Sequence, residues 1–133
     1  MLLATLDGML AEPTDATAKR ATLYLALKRK LAKHAMAEED VVYPLLHNDG
    51  GNAEESKELY DEHADMKILL FELEELLKSG GDWSAQVRSL RDLIQEHVNE
   101  EEQVVFPKLR QIFDGNRARV VSGQISREEA LIL

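Results

Sequence analysis

Apolar residues recur along this chain in alternating steps of three and four, the spacing that puts them on one side of an α-helix. Over residues 16–46 the stripe reads Tyr24, Leu27, Leu31, His34, Glu38, Val41, Leu45. Over 53–78 it reads Leu59, His63, Met66, Leu70, Leu73, Leu77. Over 83–113 it reads Val87, Leu90, Ile94, His97, Glu101, Val104. Leu2, Leu6, Met9 and Leu10 mark a shorter first helix over 1–11. The breaks between stripes carry helix-stopping chemistry. Glu12-Pro13 ends the first helix, and Thr14 or Asp15 can cap the second. His47-Asn48-Asp49-Gly50-Gly51 is a turn, and Asn52 caps the third helix. Ser79-Gly80-Gly81 stops the third and Asp82 caps the fourth, after which comes Gly115. Ser126-Arg127-Glu128-Glu129 is a capping box for a short last helix. Pro44 and Pro107 fall late in their helices, where a kink is tolerable. Nothing alternates with period two. The expected fold is all-α: an up-down antiparallel four-helix bundle with a shortened first helix and a short C-terminal helix.

Five polar residues interrupt the apolar stripes. His34, Glu38, His63, His97 and Glu101 stand where Leu or Val would otherwise stand. Four of them belong to a repeat. LAKHAMAEEDVVYPLL at 31–46 and IQEHVNEEEQVVFPKL at 94–109 match, 63 residues apart, at His34/His97, Glu38/Glu101, Glu39/Glu102 and Pro44/Pro107, with Tyr43 facing Phe106. Each copy carries His-x-x-x-Glu, an imidazole and a carboxylate one turn apart on one helical face. The turns near residues 50 and 80 set the heights. They place His63 level with residue 37 on one neighbour and with His97 on the other, so all five residues fall in one slab. A buried, unpaired carboxylate costs several kcal/mol, and a metal ion removes that penalty for both. Imidazole with carboxylate suits iron, manganese or zinc better than magnesium or calcium. Within the runs Glu38-Glu39-Asp40 and Glu100-Glu101-Glu102 one ligand each is expected. The others belong to the solvated face or orient the imidazoles. Met66 reads as core, Lys67 as a snorkelling surface lysine, and His47 as a turn residue.

Length and charge narrow the partners. The 133 residues suffice for one domain with its core over 16–113. A net charge of −9 argues against nucleic-acid backbones and anionic membranes. No cysteine is present, which rules out disulfides and thiolate metal sites. The apolar start, MLLATLDGML, lacks a basic flank and contains Asp7, so a helix is expected there and not a signal peptide. A cytoplasmic location is expected.

His34-x-x-x-Glu38-Glu39 with Tyr43-Pro44, then Glu62-His63, then His97-x-x-x-Glu101-Glu102 with Phe106-Pro107, resembles the hemerythrin-like HHE cation-binding domain over about residues 16–113. The resemblance implies a four-helix bundle around a non-haem di-iron site, with two Glu bridging the metals and the His residues capping them. It implies roles in binding or sensing dioxygen, iron handling, or repair of iron–sulfur centres under nitrosative stress. The family pattern begins with a further His on the first helix, and here the repeat puts its counterpart near position 0, at or before Met1. The first helix is thus cut off where that ligand should come.

The expected function is binding of one or two transition-metal ions, foremost two irons, through His34, Glu38, His63, His97 and Glu101. Manganese and zinc are the alternatives. An open position would take water, dioxygen or nitric oxide. Two other readings stand beside it: a di-iron oxidase or peroxidase, and a bundle that serves as an interaction module without metal. The short first helix should also leave an apolar groove lined by Val41, Leu45, Val104 and Leu109. A second copy of the chain, or the tail Ala130-Leu131-Ile132-Leu133, would cover it, and a homodimer is expected.

Overall fold

The computed structural model describes residues 2–44, 53–112, 119–120, 122–124 and 126–127, and all its regular elements are helices. They are α1 (Leu2–Ala11), α2 (Thr17–Ala37), α3 (Ala53–Ser79), α4 (Ser84–Glu100) and α5 (Phe106–Ile112). Two π-helical segments, Glu38–Val42 and Glu101–Val105, prolong α2 and α4. α1 packs on α2 and α4, α2 on α3, and α3 on α4. The 45–52 turn with its Asn52 cap, Gly115, and the 128–133 tail lie outside the described residues.

Paired π-helical segments precede the two prolines, where a kink is tolerable. An α-helical N–H bonds the carbonyl four residues back, but Pro44 has no N–H and its ring would strike the Asp40 carbonyl. Just before each proline the chain widens by one residue. Tyr43 N–H bonds the Glu38 carbonyl and Phe106 N–H bonds the Glu101 carbonyl, each five residues back. The extra residue rotates the inward face by one position, which corrects the expected stripe. Val104 is 46 % exposed, while Val105 and Phe106 are fully buried. Leu109 is also fully buried, packed with Val42, Tyr43 and Leu59, so it does not line an open groove.

Helix ends at the opposite side of the bundle are tied by one arginine. Neither Thr14 nor Asp15 caps α2. Its N-cap is Ala16, without a side-chain bond. Instead Arg20, 1 % exposed, donates to the Thr14 carbonyl at 2.8 Å and the Gly81 carbonyl at 2.7 Å. Its guanidinium lies over the Trp83 ring at 4.3 Å, and Trp83 Nε1 donates to the Met9 carbonyl at 3.2 Å. In the α3–α4 turn the glycines stop α3 as expected, but the N-cap of α4 is Trp83, without a side-chain cap bond, and not Asp82. Gly80 takes a positive φ of 75°, Gly81 N–H bonds the Leu76 carbonyl, and the Asp82 carboxylate accepts the Ser84 N–H at 3.0 Å.

Two apolar clusters divide the interior, and the slab between them is polar. Along α2 the order is Leu31, then His34 and Glu38, then Val42. Along α3 it is Leu59, then His63, then Met66. Along α4 and its extension it is Ile94, then His97 and Glu101, then Val105. Each helix therefore delivers its imidazole at the same level, with hydrocarbon above and below.

Candidate metal centre

His34, Glu38, His63 and His97 each offer one ligand atom, and these four atoms lie within 4.8 Å of one another. All four side chains, and Glu101, are at most 2 % exposed. His63 Nε2 and His97 Nε2 face each other at 3.3 Å. Glu38 Oε1 lies 3.1 Å from His63 Nε2 and 3.4 Å from His97 Nε2, and also touches His34 Nε2. Glu101 Oε1 stands 2.5 Å from His97 Nε2. Among the described residues, neither Oε2 of Glu101 nor Oε2 of Glu38 has a hydrogen-bond partner.

Outer carboxylates fix which nitrogen of two rings points inward. His63 Nδ1 lies 3.1 Å from Glu39 Oε2, and His97 Nδ1 lies 3.1 Å from Glu62 Oε2. A carboxylate accepts only, so each Nδ1 must carry the proton. When the rings are neutral, both Nε2 atoms present lone pairs to the interior, the tautomer a metal requires, whereas without a metal Glu38 can accept from the same nitrogens. Within the acidic runs the repeat is unequal. Glu39 reaches a ring, whereas its counterpart Glu102 is exposed, and Glu62 of α3 serves the other ring.

Charge in the cluster follows from burial against contact. Burial pushes the Glu38 carboxyl up, but bonds from His34, His63 and His97 together hold it well below the usual carboxylate range. Burial pulls His97 down, and bonds to Glu38 and Glu62 outweigh it, leaving His97 raised. Burial and a hydrogen bond to Glu62 push Glu100 up to about 7, while Glu62, bonded to His97 and Glu100, is lowered despite its burial. Burial and the neighbouring Glu38 charge raise Tyr43, so its phenol keeps its proton.

The donor set fits a first-row metal ion. Donors about 2.1 Å from a common ion, at right angles, stand about 3 Å from one another. The inward contacts of His63, His97 and Glu38 have that spacing. Without an ion, three imidazoles crowd one carboxylate and buried carboxylate oxygens stay unsatisfied, an arrangement whose cost needs an offset.

The hemerythrin HHE cation-binding domain family matches residues 1–109. The chain belongs to that family. It is also similar to a DNA nickase of Nostoc sp. (strain PCC 7120), with 37 % identity over 82 residues, 62 % of this chain and 23 % of that protein. The chain therefore spans less than a quarter of this relative's length. No solved structure matches. Family membership and the buried cluster together mark a metal centre.

The structure gathers His34, Glu38, His63 and His97 in one group and puts Glu101 against it through His97. Met66 is core, as expected, and His47 lies outside the described residues. Sequence reasoning missed Tyr43, whose hydroxyl lies 3.0 Å from both His63 Nε2 and His97 Nε2. The signal was present in the repeat, where Tyr43 faces Phe106 and the two differ by one oxygen. A cavity of about 210 Å³ reaches His63 between α2 and α3, walled by Leu31, Ala35, Met66 and Leu70, with the exposed Lys67 also on its lining. None of the described helices is long and apolar enough to cross a membrane.

Proposed function

We propose that this chain is a non-haem iron protein of hemerythrin type, holding two irons through His34, Glu38, His63, His97 and Glu101, in an up-down bundle. The convergence of three imidazole nitrogens and a buried carboxylate inside hydrocarbon carries the reading. Iron supplies a redox-active position that can take dioxygen or nitric oxide. The chain supplies the rest. Glu39 and Glu62 hold the Nδ1 protons and aim His63 and His97 inward. Glu38, whose carboxyl is held well below the usual range, would hold the metal as an anion, and Glu101 beside His97 would be the second carboxylate to hold it. The two apolar clusters exclude bulk water, and the apolar cavity beside His63 suits a small uncharged ligand. Sensing of such a ligand, iron handling, or repair of metal centres is the role that follows.

Loading the metal-free protein anaerobically with ferrous iron, then titrating dioxygen or nitric oxide, tests the reading. A saturable change in the visible spectrum is expected. Iron uptake without any response to either gas would reject the ligand-binding role. Turnover of dioxygen with excess reductant would move the chain to the oxidase class. Pairing of two copies in solution belongs to the same reading, and light scattering checks it.

The similarity to a DNA nickase favours a second reading, a metal centre that cleaves phosphodiesters. Against it, the −9 charge repels a DNA backbone. Incubating metal-loaded protein with supercoiled plasmid separates the two readings, and intact plasmid is expected.

A further inference from the structure

Tyr43 stands at the seam of the proposed metal centre, on the first residue beyond the π-helical segment that starts at Glu38. Its hydroxyl oxygen is 3.0 Å from His63 Nε2 and 3.0 Å from His97 Nε2, and those two nitrogens are 3.3 Å apart. Three potential donors thus form a nearly equilateral triangle. The phenol carries one proton and can give it to only one of the two nitrogens. In the neutral tautomer that a metal requires, with the ring protons held on Nδ1 by Glu39 and Glu62, both nitrogens face inward without protons. In that tautomer hydrogen bonding accounts for one side of the triangle. A single ion bound to all three atoms accounts for every side, since adjacent ligands of a first-row metal stand about 3 Å apart.

The repeat supplies a second, independent observation. Phe106 occupies the equivalent position beyond the other π-helical segment, and both rings are fully buried. Packing requires the ring in both copies and the oxygen in neither. A buried hydroxyl is kept at a cost unless a partner offsets it, and only the copy beside His63 and His97 has one.

We propose that Tyr43 is a metal ligand, its phenol oxygen binding ferric iron beside His63 and His97. The inference rests on the iron reading above. On binding, the O–H bond breaks, an Fe–O bond forms, and the proton leaves to water. No electron is transferred in this step. The two halves of the centre then differ, because only one has an oxygen donor from an aromatic ring. A phenolate ligand stabilises the ferric state of its iron relative to the ferrous state, which biases the centre toward sensing or iron handling and away from reversible oxygen carriage.

The test is resonance Raman and visible spectroscopy on the full chain, loaded with ferrous iron and oxidised in air, with iron measured in the same sample. Phenolate ring modes, enhanced on excitation into a visible charge-transfer band, are expected in the wild type and in Tyr60→Phe. They should vanish in Tyr43→Phe while iron remains bound. A tyrosine that only positions the histidines gives no such modes. Ring-deuterated tyrosine in the wild type shifts the same modes, so the answer does not depend on Tyr43→Phe folding. Bound iron without phenolate modes, or modes that persist in Tyr43→Phe, would overturn the inference and leave the iron reading standing. Failure to bind iron at all would overturn both.

Discussion

Glu39 and Glu102 are equivalent in sequence and unequal in the structure, and this difference yields a quantitative prediction. Glu39 Oε2 accepts from His63 Nδ1 at 3.1 Å, while Glu102 lies exposed. Glu39→Ala leaves His63 in place but removes the acceptor that fixes its tautomer and orientation. Loss of such an orienting carboxylate weakens metal binding by about 10- to 100-fold. At about 1.4 kcal/mol per factor of ten, that is roughly 1.4–2.8 kcal/mol. Glu62→Ala should cost a similar amount through His97, and Glu102→Ala almost nothing. The assay is competition for ferrous iron or a zinc surrogate against a chromogenic chelator. Folding is checked by the thermal transition of the metal-free protein. Equal effects of Glu39→Ala and Glu102→Ala would refute the assignment of the outer carboxylates. So would an effect of Glu39→Ala as large as that of removing a ligand.

Other substitutions probe the remaining parts. Glu101→Gln keeps volume but loses charge, so iron content should fall well below the wild type by metal analysis, with the fold retained by circular dichroism. Leu27→Ala, at a fully buried position, should cost about 2–5 kcal/mol and lower the melting temperature without changing the ligand set. pH should act in opposite directions on the two forms. In the metal-free chain the lowered Glu38 contributes stability above its ordinary 4.5, and loses it as pH falls through the folded value. Raised His97 contributes fully below its ordinary 6.5 and loses this as pH rises through the folded value. Raised Glu100 acts likewise, contributing fully below 4.5 and losing this as pH rises through about 7. The metal-free melting temperature should therefore fall between pH 6 and 8, with a smaller fall in Glu100→Gln. In the loaded protein metal competes with protons, so the stabilisation by metal should grow over the same range. Calorimetry on both forms checks the crossing trends.

Much of this architecture was legible because burial follows periodicity. The stripes through Leu27, Leu59 and Leu90 locate three long helices, and the residues that break them, His34, Glu38, His63, His97 and Glu101, meet in one slab. What escaped depended on geometry that no periodic pattern contains. The prolines signalled a disturbance, but the extra residue at Glu38–Val42 and Glu101–Val105 moves burial from Val104 to Val105. Tyr43 looked like a conservative partner of Phe106 because its role lies in one oxygen atom. The unequal use of Glu39 and Glu102 depends on surroundings: Glu39 meets His63 of α3, and Glu102 is exposed. Arg20 lies outside the apolar stripe of its helix, and it is buried because two carbonyls and the Trp83 ring converge on it.

The central claim is that three imidazoles and two carboxylates form a metal centre. Metal content of the freshly purified chain, beside that of a His63→Ala and Glu38→Gln double variant, tests it most directly. Iron should be bound in proportion to protein in the wild type and lost in the variant, with both forms helical. A wild type that carries no metal and takes up none from ferrous solution would contradict it, as would a double variant that keeps its iron.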